Sequence, residues 1–340
     1  MSTPEYFLNI SPEEMARANL AGAMTLQHPA VRAMHNSLEA FIAKLHRESG
    51  APELIKALRP NILVTGETGT GKELVSKALW LRLVREKVLD SAEEYFGIIN
   101  CACLPADLLE IELFGTTKVA FTGAGNSLGI VSRLAGYKDI EPKKGLKGSP
   151  TTRPSLLFLD EIGAAGREVQ AKLLRLVENR EFSPLGLAGR HYQAPYLMIL
   201  AATNELYDAK LEDGVGHGDT PTEMKGSVSS CPRDSAVGVE RFRLDLFYRL
   251  CDTFHFHLPA LRERKDEIAL IAAQFYQKYY RLLIDPQAAP QFPEELGNLL
   301  LKSQWPGNGR QLHQILRRAM ILWDGASTER LVELVRGLVG

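Results

Sequence analysis

No run of apolar residues in this 340-residue chain is long enough to cross a bilayer. The opening residues, MSTPEYFLNI, lack the basic-then-apolar order of a secretory leader. Neither sign of charge is in excess. Lys and Arg number 40 and Asp and Glu 41, so the bulk charge asks for neither nucleic acid nor an anionic membrane. Cysteine is scarce, at four residues, which suits a reducing compartment. Cys101 and Cys103 stand too close in sequence to staple a fold. A metal pair there would need two further ligands, so buried thiols are the plainer reading. These absences leave a cytoplasmic protein, without a membrane segment, as the default. What is present is length for more than one typical domain and 45% hydrophobic residues, enough for a sizeable core.

Five short apolar runs read as buried strands: NILVT (61–65), GIIN (97–100), LLFLD (156–160), LMILAA (197–202) and TFHFHL (253–258). Helical patterns lie between them, as in Glu73 to Val84 and Val169 to Asn179. Strand and helix alternating at this spacing predict an α/β fold, a parallel five-stranded sheet between helices. After Leu258 the period changes. Ile268, Ile271, Ala272, Phe275 and Tyr279 fall at helical spacing, as do Leu312, Ile315, Leu316, Ala319 and Met320. The expected organisation is a short extension (1–25), an α/β domain (26–260) and a small helical domain (261–340). Two segments, 136–155 and 209–238, are rich in Gly, Pro, Ser, Thr and charge, and read as surface insertions. His255 and His257 stand two apart on one strand face. With no third ligand near in sequence, they read as the polar face of that strand.

The sequence ILVTGETGTGKELVSKAL carries the spacing Gly-x4-Gly-Lys from Gly66 to Lys72. Spacing alone is modest evidence, but here an apolar strand runs into the glycines and a helix follows directly. Gly66, Gly69 and Gly71 let the backbone bend around an anion, and its N–H groups then gather at the head of a helix. Lys72 would reach the outer phosphates. Downstream, LLFLDEIG (156–163) puts Asp160 and Glu161 at the end of a strand. Two adjacent carboxylates there are costly without a cation, so Mg2+ and ATP explain them better than packing does. Asp160 suits the metal and Glu161 the polarisation of an attacking water. In AATN (201–204), Thr203 and Asn204 stand at another strand end, placed to read the γ-phosphate or the water.

One stretch fits neither period. From Val119 to Ser132 no residue is charged, and VAFTGA (119–124) neither alternates like a strand nor shows a helical stripe. An apolar tip of this kind asks what Phe121 is there to touch.

Taken in order, these motifs resemble the AAA+ ATPase module of bacterial sigma-54 activators, over about residues 24 to 325. GETGTGKE resembles that family's phosphate loop (Gly66, Glu67, Thr68, Gly69, Thr70, Gly71, Lys72, Glu73), with Glu73 where most phosphate loops have Ser or Thr. NCACLPADLLEIELFG (100–115), QAKLLRLVENREF (170–182), FRLDLFYRL (242–250), LPALRERKDEI (258–268) and WPGNGRQL (305–312) follow in family order. The resemblance implies an ATP-hydrolysing machine that remodels sigma-54 RNA polymerase, normally as a hexameric ring. It implies that Asn100 and Glu161 form a switch, and that Arg243 and Arg249 are arginine fingers reaching a neighbouring subunit's ATP. Arg310 corresponds to the lid arginine that senses the γ-phosphate. VAFTGA is similar to the Gly-Ala-Phe-Thr-Gly-Ala loop that contacts sigma-54, with Phe121, Thr122 and Gly123 at its tip.

The chain departs from the pattern in places. Val119 stands where the family has glycine, and Thr116 and Thr117 replace a His-Glu type pair. No helix-turn-helix or basic stretch is expected in this chain, so a DNA-binding domain is not. These departures keep a second reading open, an AAA+ ATPase of the same lineage remodelling a different protein client.

Overall fold

The computed structural model describes residues 27–47, 51–90, 95–120, 123, 125–142, 144–187, 189–204 and 242–339. Phe121, Thr122 and the segment 209–238 therefore lie outside the described residues. So does the extension 1–25.

Five strands form the central sheet: β1 (Asn61–Thr65), β2 (Phe96–Asn100), β3 (Ser155–Asp160), β4 (Leu197–Thr203) and β5 (Phe254–His257). Their order is β5-β1-β4-β3-β2, and every neighbouring pair is parallel. The central strands are buried on both faces, which explains why they read as continuous apolar runs rather than as alternation.

The side chains sort by parity. Ile62, Val64, Leu156, Phe158, Met198 and Leu200 pack beneath α1 (Pro29–Arg47), α2 (Ala51–Leu58) and α3 (Lys72–Arg85). Leu63, Leu157, Leu159, Ile199 and Ala201 pack on the other face. That face is covered by α4 (Ala106–Phe114), α5 (Ile130–Leu134), α6 (Arg167–Asn179) and α7 (Leu244–Leu250). Each fully buried leucine contributes about 2 kcal/mol relative to exposure. A one-residue slip in any strand would exchange the two sets.

From Leu261 a short 3-10 turn leads into four helices: α8 (Lys265–Leu283), α9 (Glu294–Leu301), α10 (Asn308–Leu322) and α11 (Thr328–Val339). They close around their own core, which includes Ile268, Tyr276, Trp305, Leu312, Leu316 and Leu331. No helix among the described residues is long and apolar enough to cross a membrane.

Segment 136–155, which reads from its composition as a surface insertion, contains regular structure. Asp139–Glu141 pairs antiparallel with Gly145–Lys147. Tyr137, just before that hairpin, and Ile140, within it, are buried. The Tyr137 ring meets Tyr192 and Phe182 edge-on, at centroid distances of 5.6 and 6.0 Å. The Leu146 N–H donates to Tyr192 Oη at 3.1 Å. The buried Tyr137 and Ile140 and a shared phenol order a segment that is otherwise mostly polar, glycine and proline.

Candidate functional site

β1 delivers the chain into the glycine loop. Gly69 has φ of 81°, and a Cβ there would lie 2.5 Å from the Gly307 carbonyl oxygen, so only glycine fits. Gly71, at φ 108°, caps α3 in the left-handed region. Lys72, the first residue of α3, is 6% exposed. Its ammonium donates to the carbonyls of Gly66 (2.8 Å) and Glu67 (3.2 Å), and stands 3.9 Å from Glu161 Oε1. Burial pushes the Lys72 pKa down, while Glu161 and Asp160 pull it back up.

The acidic pair ends β3. Burial raises the Asp160 carboxyl above its usual range, with Glu161 and Glu73 adding to the rise and Lys72 opposing it. Glu161 lies at φ 50°, ψ 48°, a left-handed conformation that costs a non-glycine residue about 1 kcal/mol or more. That turn carries its carboxylate toward Lys72 and lets Oε2 accept the Asn204 N–H at 3.2 Å. The Asn204 side chain donates to Thr68 Oγ1 at 3.3 Å, tying the β4 end to the loop. Thr203 is buried, and its carbonyl accepts the Gly66 N–H.

Asn100 contacts the other carboxylate. Its amide donates to Asp160 Oδ2 at 2.8 Å, and its Oδ1 accepts the Ala102 N–H. The resemblance implied a pairing with Glu161. The register explains the difference, because Asn100 lies directly across from Asp160 in adjacent strands. The left-handed turn takes Glu161 off to the Lys72 side.

The donors fit a hard cation. Asp160, with Glu73 near enough to act on its charge, supplies carboxylate oxygen beside the glycine loop. No cluster of three or more His, Cys, Asp or Glu side chains able to hold a metal occurs among the described residues. A cation here would therefore draw on phosphate and water oxygens, as Mg2+ does. Cys101, beside this site, is buried and its thiol is pushed up to about 12, chiefly by burial. It is an inert packing residue.

Arg243 and Arg249 sit at opposite ends of α7. The Arg243 N–H donates to Gln170 Oε1 at 2.7 Å, and its guanidinium is held by Asp245 through bonds of 3.0 and 2.6 Å. The Arg249 carbonyl accepts from Asn61, at the end of β1 remote from the glycine loop. The Arg249 guanidinium, 57% exposed, stands 2.7 Å from Glu178. One strand length, about 15 Å, therefore separates its backbone from the loop of the same chain. Arg310 is brought to the loop, in the first turn of α10. A Cβ on Gly69 would lie 3.1 Å from Arg310 Cβ.

The helical domain also grips the loop with residues to which the sequence reading gave no role. Arg262 donates twice to the Glu67 carboxylate, at 2.8 and 2.5 Å. Asn308 Nδ2 donates to Glu67 Oε2 (3.1 Å) and to the Thr68 carbonyl (3.0 Å). The Gly309 N–H meets the Gly69 carbonyl, and Arg264 meets that of Thr70. Arg262 holds the Glu67 pKa below its usual value. The only sequence signal was the motif pair LPALRERKDEI and WPGNGRQL.

The uncharged stretch begins on a fixed base. Gly115 and Thr116 pair with Leu128 and Ser127, and the Lys118 N–H donates to Asn126 Oδ1 at 2.9 Å. Leu185 straps this base, with its carbonyl accepting from Thr117 and its N–H donating to Gly115. Thr116 and Thr117 are buried in that strap. Val119 is 53% exposed, and a Cβ on Gly123 would meet nothing within 4 Å.

Comparison with known proteins agrees with this arrangement. The model of the sigma-54 interaction domain matches residues 43–136 and 144–219, and that of the AAA+ ATPase lid domain matches 262–334. The chain belongs to the sigma-54 interaction family. It is 31% identical over 335 residues to the regulatory protein AtoC of Escherichia coli (strain K12), covering 93% of this chain and 60% of AtoC. It is 36% identical to the transcriptional activator HyfR of the same organism, covering 78% of this chain and 32% of HyfR. With the Nif-specific regulatory protein of Azospirillum brasilense the identity is 33%, over 84% of this chain and 35% of that protein. The chain thus spans about one third to three fifths of these relatives' lengths. Crystal structures of NtrX from Brucella abortus share the fold. The complex with ADP aligns at TM-score 0.59 and 23% identity, over 94% of this chain and 56% of NtrX; the complex with ATP aligns at 0.56. The break in the family match, between 136 and 144, falls on the first strand of the packed hairpin.

Proposed function

We propose that this member of the sigma-54 interaction family hydrolyses ATP and uses the cycle to remodel sigma-54 RNA polymerase. The observation that carries the reading is the convergence of Lys72, Glu161 and Asn204 on the glycine loop at the ends of three adjacent strands. Lys72, held by the carbonyls of Gly66 and Glu67, would turn its remaining ammonium donor to the outer phosphates. Glu161, facing Lys72, would orient the attacking water and take its proton. Asn204 would fix that carboxylate through its backbone N–H. Mg2+, held by Asp160 with Glu73 nearby, would neutralise charge on the transferring phosphoryl group. Arg310 would meet the γ-phosphate from the lid.

Arg243 and Arg249 fit service to a neighbouring copy, because their guanidinium groups are held by Asp245 and Glu178 and not by groups of their own glycine loop. Such a site is complete only in a ring, and a trans arginine is worth about 10³-fold or more in phosphoryl transfer. Phe121, Thr122 and Gly123 would be the client contact. The open surroundings of Gly123 support a loop raised from the surface.

A different client is the second reading. Val119 in the place of glycine, and a hairpin packed on the segment that supports the loop, favour it.

The test separates binding from turnover. Lys72→Ala should lose ATP binding, whereas Glu161→Gln should bind ATP and fail to turn it over. Normal turnover in Glu161→Gln would remove the assignment. Binding of sigma-54 with a transition-state nucleotide present should be lost in Phe121→Ala and Thr122→Ala. A wild-type chain that binds no sigma-54 in any nucleotide state would favour the second client.

A further inference from the structure

We propose that Glu67 is a positioning residue for Lys72, and that Arg262 and Asn308 of the lid hold it in that role. The proposal rests on the ATP reading of the site and deepens it.

Glu67 faces two ways. Its carboxylate takes three hydrogen bonds from the lid, two from Arg262 and one from Asn308. Its backbone carbonyl accepts the Lys72 ammonium at 3.2 Å, and also the Thr70 N–H and hydroxyl. One residue therefore joins the lid to the loop's cation. The grip continues through the next three carbonyls, those of Thr68, Gly69 and Thr70, which meet Asn308, Gly309 and Arg264. Peptide units are planar and trans. Holding the Thr68 and Thr70 carbonyls against the lid turns the Gly69 and Gly71 N–H groups away from it. The lid thereby sets which edge of the loop offers donors to an anion.

Asn308 is built for this task. It sits at φ 50° between two glycines, with its Oδ1 accepting the Leu261 N–H at 2.7 Å and its Nδ2 shared between Glu67 and Thr68. Arg264 is fixed in turn by Glu267, which also accepts the His28 N–H from the start of α1.

A purely structural pair would be expected to show itself in stability. The Arg262 and Glu67 side chains are 33% and 44% exposed, and half-exposed pairs add little to stability. Three lid donors converging on one such carboxylate therefore point to the loop's geometry as what they serve. The effect of cutting the pair should appear in nucleotide binding rather than in melting.

The experiment uses the full chain, with a fluorescent ATP analogue and Mg2+ for Kd, steady-state ATPase for KM and kcat, and thermal melting without nucleotide. Glu67→Ala and Arg262→Ala should each raise Kd and KM by about tenfold, with a smaller change in kcat. The double variant should be no worse than either single one, and Arg262→Lys should recover part of the loss. All should melt within about 3 °C of wild type. Unchanged Kd and KM in Glu67→Ala would overturn the proposal, as would additive losses or a loss matched by a fall in melting temperature. A wild-type chain that binds no ATP would instead remove the functional reading itself.

Discussion

At the scale of single residues, the site is assembled against stability. Asp160 is the clearest case. Its folded-state pKa is raised by burial and by two neighbouring carboxylates. A carboxyl raised on folding favours the folded state while protonated and disfavours it once pH climbs through that range. At neutral pH its charge is therefore a cost. Asp160→Asn keeps the shape and an acceptor for the Asn100 amide, so it should raise stability by about 1 kcal/mol while abolishing Mg2+-dependent turnover. Thermal melting and an ATPase assay on the same preparation would show the trade, and a lower melting temperature would count against it. Arg180 is the opposite case, buried with no carboxylate partner among the described residues. Its guanidinium serves the carbonyls of Pro60, Leu176, Val177 and Leu197 and the Asn61 side chain. Burial drops its pKa to about 9. Arg180→Met would orphan several acceptors at once and should cost about 3 kcal/mol or more in denaturant titration, without touching the nucleotide site. The glycine loop and the acidic pair were legible in the sequence because their chemistry forces a fixed spacing. Arg180 was not, because nothing local distinguishes a buried arginine from a surface one.

At the scale of elements, the strands were legible almost to the residue. Burial on both faces writes NILVT and LLFLD as unbroken apolar runs. The 136–155 hairpin was not legible, since Tyr137, Ile140 and Leu146 stand alone among polar residues, glycines and prolines. Its integrity has a specific weak point. Gly145 is at φ 94°, and a Cβ there would fall within bonding distance of Tyr192 Oη. Gly145→Ala should therefore free the hairpin to early proteolysis while ATP binding persists. A wild-type cleavage pattern in that variant would mean the phenol yields without loss. Helix α7 carries its own expectation. Arg243 and Arg249 mark its two ends, so an arginine-deficient chain and a lysine-deficient chain should complement each other. Mixing Arg243→Ala with Lys72→Ala should restore part of the ATPase rate, and mixtures no better than either alone would argue against service in trans.

At the scale of the whole molecule, the change of period near residue 261 made the helical lid visible, but not its hold on the glycine loop. The bonds from Glu67 run to partners 195 and 241 residues away in sequence. No periodicity reports a contact of that range. If the site is completed by a neighbour, ATPase rate per chain should rise with protein concentration, and Arg243→Ala should flatten the rise. A fully active monomer, insensitive to dilution in light scattering, would contradict the ring.

The strapped base around Thr117 and Leu185 also acts as a ruler. The loop 118–126 is fastened on both sides, at Thr116 and Ser127, and the Lys118–Asn126 bond draws the two limbs together. A chain that must go out and come back can extend only half its contour length. Residues 118–126 can therefore lift a tip no more than about 15 Å above the base. If this loop is the client contact proposed above, a client would have to come within that radius before the loop could act on it. Larger strokes have to come from the mounting, meaning the strap and the strands that continue from it. On the proposed reading the protein would not fish for a distant target; it would work at arm's length on one that has already docked.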